Sequence, residues 1–98
     1  MTVKIVCSVF DSAARVFGQP FFVPATGAAI RSVRDEVNRV AADNALYQHP
    51  EDFELFSVGQ FDDLEGVMHG IAKPVLIVRC KDLVDAKSPP ESALRSVA

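Results

Sequence analysis

The chain has 98 residues, which is room for one domain of ordinary size and not for two. Hydrophobic residues make up 49% and charged residues 23%, so the composition excludes a disordered chain, and no apolar run approaches the roughly 18 residues of a membrane helix. Thirteen acidic against ten basic residues leave a formal charge of −3, without the basic excess common in nucleic-acid-binding domains.

Residues 3–10 are β-branched and apolar, with Val3, Ile5, Cys7 and Val9 on one face and Lys4, Val6, Ser8 and Phe10 on the other; this predicts a strand near the middle of a sheet. Residues 1–11 turn polar by Asp11 and lack a long apolar core with a cleavage site, so a soluble cytoplasmic protein is expected. After turn chemistry at residues 11–14, residues 16–23 read as an edge strand hairpinned to the first, broken by Gly18 and Pro20, since an edge tolerates a missing N–H. Thr26 is the expected N-cap of the main helix. Ala29, Ile30, Val33, Val37, Val40 and Ala41 recur at three and four residues to make its apolar stripe, with Arg31, Arg34, Asp35, Asn38 and Arg39 opposite and an end near Asp43 and Asn44. A second short helical turn at residues 45–48 must stop before Pro50.

Residues 53–61 predict a strand with Phe53, Leu55 and Phe61 on one face and Phe56 and Val58 on the other. Residues 62–66 form a turn in which Gly66 is available for positive φ, returning as a short strand at residues 67–69. Residues 75–80, bounded by Pro74 and Lys81, read as a buried strand. The expected fold is therefore a two-layer α+β domain over residues 1–84, an antiparallel sheet of about five strands with one main helix in the order β-β-α-β-β-β. A flexible C-terminal tail is expected over residues 85–98.

Cys7 and Cys80 lie far apart without metal-ligand spacing and are expected to be buried thiols. The carboxylates of Asp62, Asp63 and Glu65 could hold a hard cation but are better explained as turn residues. Neither His49 nor His69 has a partner at zinc or catalytic spacing, and there is no phosphate loop, nucleophile motif or triad signature. No enzyme activity, cofactor or metal is expected.

Three blocks, Gln19-Pro20-Phe21-Phe22, Ala29-Ile30-Arg31 and the run HPEDFELFSVGQFDD from His49 to Asp63, resemble the small non-structural protein of the gokushoviruses, a branch of the single-stranded DNA microviruses. The long third block is the specific one, and the similarity spans roughly residues 4–69. The resemblance implies a non-structural accessory of phage genome replication in the host cytoplasm, a DNA-binding protein favouring single-strand synthesis and packaging over duplex replication. Single-strand binding without sequence preference needs cations for phosphates and flat side chains for bases. The candidate residues are Lys4, Arg15, Phe21, Phe22, Arg31, Arg34, Arg39, Arg79 and Lys81, with Phe10, Phe17 or Phe56 able to extend the stacking surface. Phe21 and Phe22 must point to opposite faces, so if one packs under the helix the other faces outward. On the alternative account the helix arginines only solubilise their face, with Arg31 paired to Asp35, and the phenylalanines serve a second core or an oligomer interface. Phenylalanines on both faces of so small a unit predict a homo-oligomer, a dimer or larger. The negative charge also suits two other readings, an adaptor acting on the phage replication initiator or host replication proteins, and a scaffolding or virion-associated component.

Overall fold

The computed structural model describes residues 3–85. The expected C-terminal tail, residues 85–98, lies outside them except for Asp85. Strand β1 (Val3–Asp11) is the centre of the sheet. On one side it pairs antiparallel with two short pieces, β2 (Val16–Phe17) and β3 (Phe21–Val23). These are the single interrupted edge read from residues 16–23: the Gly18 N–H still donates to the Val9 carbonyl at 2.8 Å, but Pro20 has no N–H to continue the ladder. On the other side β1 pairs with β4 (Phe53–Asp62), which pairs with β5 (Val67–Arg79) at the far edge. The sheet is thus five antiparallel strands, as predicted in number, but the second predicted strand is split in two and the last two are fused into one.

That fusion corrects two expectations. Residues 67–69 and 75–80 are not separate strands, and the second is not buried: Val75 is 58% and Leu76 38% exposed, because β5 has a neighbour on one side only among the described residues. The strand stays continuous by bulging. Ser57 pairs with Val75 and Gly59 with Gly70, so residues 71–74 together oppose Val58, and Pro74 sits where no ladder bond is required of it. Cys80 is buried as expected, but in a 3-10 turn (Cys80–Leu83) that leaves the sheet.

Helix α1 (Thr26–Val37) carries Ala29, Val33 and Val37 into one buried cluster with Cys7, Val23, Leu55, Cys80 and Leu83, with Ile5, Val9, Phe21 and Phe53 packed at its margin. Period-3.6 and period-2 stripes meet here, which is why the alternation of β1 was read correctly. Thr26 is not the N-cap; it is the first helical residue, preceded by extended Ala25, and no side chain caps the start. The helix also ends six residues early, before Asp43 and Asn44, so Val40 lies outside the stripe and is 77% exposed. Asn44 explains the stop by satisfying carbonyls that a longer helix would have bonded internally, and Asn38 ties the helix end to the last 3-10 turn. Buried Asn44 donates from Nδ2 to the carbonyls of Glu36 (2.7 Å) and Arg39 (2.9 Å). Asn38 donates from Nδ2 to those of Arg34 (2.8 Å) and Leu83 (3.0 Å), and its Oδ1 accepts from the Asp85 N–H at 2.9 Å. The expected short helical turn is α2 (Ala45–Gln48), followed by a 3-10 turn (Pro50–Asp52) that begins on Pro50.

Candidate nucleic-acid interface

The face of the sheet away from α1 is set by register. Val6 pairs with Phe22 and Gly59, whereas Cys7 pairs with Phe21 and Ser57, so Val58 is an extra residue that reverses the alternation of β4. Phe53 and Leu55 therefore face the helix, while Phe61 joins Phe56 on the open face, contrary to the uninterrupted alternation expected for residues 53–61. The signal in the sequence was Gly59, since a glycine inside a strand marks a bulge or a close backbone approach. A Cβ at Gly59 would stand 2.7 Å from the His69 carbonyl oxygen.

Five of the seven phenylalanines consequently share the helix-free face. Phe10, Phe17 and Phe56 form one cluster with centroid separations of 4.8, 5.5 and 6.2 Å, two of its three contacts edge-on. Phe22 and Phe61 form a second at 5.4 Å. Between the two lie Val6 and Ser8, both buried, and the facing pair Gly59 and Gly70, which adds no side chain. Ser8 is satisfied by donating from Oγ to the Gly18 carbonyl at 2.7 Å. Phe17 is 40% and Phe22 49% exposed, so ring surface is open at both clusters. Of the adjacent pair, Phe22 faces outward and Phe21 packs against the core.

The candidate cations divide between the two faces. Lys4 is cross-strand from Phe61 and so belongs to the aromatic face. Arg15 ends the β1–β2 turn two residues before Phe17 and adopts φ 59. Arg79 is on the same face but is held by Glu54, Nε to Oε2 3.2 Å. Arg31, Arg34 and Arg39 are on α1 or just past its end, on the other side of the sheet, and Lys81 is in the last 3-10 turn. Arg34 pairs with Asp85 (2.8 Å) and Arg39 with Glu36 (2.6 Å), and that bond holds the Glu36 carboxyl below its usual range. The expected Arg31–Asp35 pair does not form; among the described residues Lys4, Arg15, Arg31, Lys73 and Lys81 have no ion-pair partner.

The β1–β2 and β4–β5 hairpin turns use one device. Asp11 Oδ1 accepts from the N–H groups of Ala13 (3.0 Å) and Ala14 (3.2 Å), and Asp62 Oδ1 accepts from those of Leu64 (3.0 Å) and Glu65 (3.2 Å). Each turn then closes on a left-handed residue, Arg15 in one and Gly66 (φ 71) in the other. The acidic run at residues 62–65 is thus turn chemistry, as read. His49, Glu51 and Asp52 bring possible donor atoms within 4.8 Å of one another on the Pro50–Asp52 turn. That turn already has a structural tie, because the N–H and Oγ of Ser12 both donate to the Asp52 carbonyl at 2.8 Å. Among the described residues no helix is long and apolar enough to cross a membrane.

The model of the family described as Phage ORF5 protein matches residues 4–83, nearly the whole described chain. The chain belongs to this family. It is similar to Protein ORF5 of Chlamydia phage 1, a gokushovirus, with 32% identity over 73 residues that cover 72% of this chain and 76% of the relative. No solved structure matches it. As a family member the chain is a phage accessory protein, which agrees with the resemblance carried by the run from His49 to Asp63. That run contains the bulge at Val58 and Gly59, both phenylalanines that β4 places on the open face, and the Asp62 turn.

Proposed function

We propose that this Phage ORF5 family protein binds single-stranded DNA without sequence preference across the helix-free face, in the host cytoplasm, and favours single-strand synthesis and packaging over duplex replication. The observation that carries the reading is the pair of aromatic clusters on one open sheet face, with Lys4 and Arg15, which have no ion-pair partner among the described residues, beside them. Exposed ring faces accept any base, each stack contributing about 1 to 3 kcal/mol. The α1 arginines lie across the sheet from this face, so the cationic contribution is small and stacking dominates.

Polarization titration of labelled oligothymidylate tests it. Binding is expected with a shallow salt dependence, log K falling with log salt at a slope of roughly −1 to −2, as two or three phosphate contacts would give. Phe22→Ala and Phe56→Ala should each weaken binding by about fivefold or more, and no binding at low or physiological salt removes the reading. The excess of acidic over basic residues favours a second reading, an adaptor docking the same apolar face on the replication initiator or a host replication protein. Capture of one such partner by the wild type and not by Phe22→Ala, together with no oligonucleotide binding, would select it.

A further inference from the structure

The outer edge of β5 is a different surface from the aromatic face. Among the described residues nothing pairs with it, and an unpaired strand edge offers a row of N–H and C=O groups to another strand. Its distal part, Val67-Met68-His69-Gly70-Ile71, contains no Asp, Glu, Lys or Arg, and Val67, Met68 and Ile71 are 39%, 54% and 40% exposed. Charges of opposite sign bracket it, Glu65 on one side and Lys73 on the other, each four residues from His69, both exposed and neither in an ion pair among the described residues.

From this we infer that a second copy of the chain docks antiparallel along residues 67–71 of β5, with the two-fold axis at His69. This register sets Val67 opposite Ile71, Met68 opposite Gly70 and His69 opposite itself, and it lays the turn that carries Glu65 in each copy alongside Lys73 of the other, two complementary pairs in one interface. Moving the axis to Lys73 would set like charges face to face, and moving it to Val67 would leave both charges without a partner of opposite sign. The contact ends where the strand bulges at residues 71–74, since Pro74 has no N–H to give. The opposite sheet edge is a poor substitute, being cut into β2 and β3 around Pro20, so pairing of β5 with β5 closes on itself rather than propagating. Met68 is cross-strand from Phe61, and the joined sheet would run the Phe22–Phe61 rows of the two copies toward each other.

The inference rests on the fold and not on DNA binding: a monomer that binds oligonucleotide defeats this inference alone, and a dimer that binds none defeats the other alone. Sedimentation of the full chain at low salt is expected to show a dimer. Glu65→Lys and Lys73→Glu, both at exposed positions, should each raise the dissociation constant about tenfold or more, and the double reversal should restore it. His69→Cys should cross-link two copies under mild oxidation, whereas Val75→Cys on the same edge should not. A monomeric wild type, single reversals that leave the dimer intact, a double reversal that fails to rescue, or cross-linking no faster at 69 than at 75 would each overturn the proposed pairing.

Discussion

Arg15 and Gly66 close turns of the same construction, yet only one of them is a residue that adopts positive φ freely. Replacing Arg15 with Gly should raise the unfolding free energy by about 0.5 to 1 kcal/mol, after the larger unfolded-state entropy of glycine is allowed for, as read by urea unfolding. The same change removes a cation two residues from Phe17, so oligonucleotide affinity should fall while stability rises. The thiols give a pH prediction. Burial, and secondarily the Glu54 carboxylate, push Cys80 up to about 11, and burial also raises Cys7. Folding therefore favours the neutral thiol: the stabilisation is complete below an ordinary thiol pKa of about 8.5 and is lost as pH rises toward 11. The wild type should lose up to about 3 kcal/mol more than Cys80→Ala over that window, and neither thiol should react with a disulfide reagent at pH 8 until the protein is unfolded.

At the scale of elements, the position of Gly59 decides the architecture of the long hairpin. Its backbone lies so close to the His69 carbonyl that a methyl group would meet it at 2.7 Å, with backbone rather than a flexible side-chain end in the way. Gly59→Ala should cost about 1 to 3 kcal/mol and lower amide-exchange protection in β4 and β5 near the bulge, leaving β1–β3 pairing less affected. Sequence periodicity predicted β1, an interrupted edge at residues 16–23, α2 and the start of β4, where a run of one period is bounded by Pro, Gly or Asp. It missed the end of α1, because Asn44 stops the helix through a bond to the Glu36 carbonyl eight residues back, while Asn38 anchors the end to Leu83 across the fold. It also divided β5, reading Pro74 as a boundary when an unpaired edge lets a proline remain within the strand.

For the molecule as a whole, the acidic balance and the aromatic face are compatible because they concern different surfaces. Charge is counted over the entire chain, whereas the Phe10, Phe17, Phe56 cluster and the Phe22, Phe61 pair occupy one side of one sheet, with most arginines elsewhere or paired. Of the candidate binding residues, Lys4, Arg15, Phe22 and Arg79 converge on or beside that side, Phe21 turns into the core, and Arg31, Arg34, Arg39 and Lys81 sit away from it. The sequence alone determined the family, the helix stripe as far as Val37, the inward face of β1 and the Asp-anchored turns, because each depends on residue types a few positions apart or on a long specific run. The tertiary structure alone decided that Phe61 shares a face with Phe22 and Phe56 and that, among the described residues, β5 ends the sheet with an unpaired edge. Both depend on which strands become neighbours and where one extra residue enters a ladder, and a single-residue shift exchanges every side chain between faces without leaving a mark in composition.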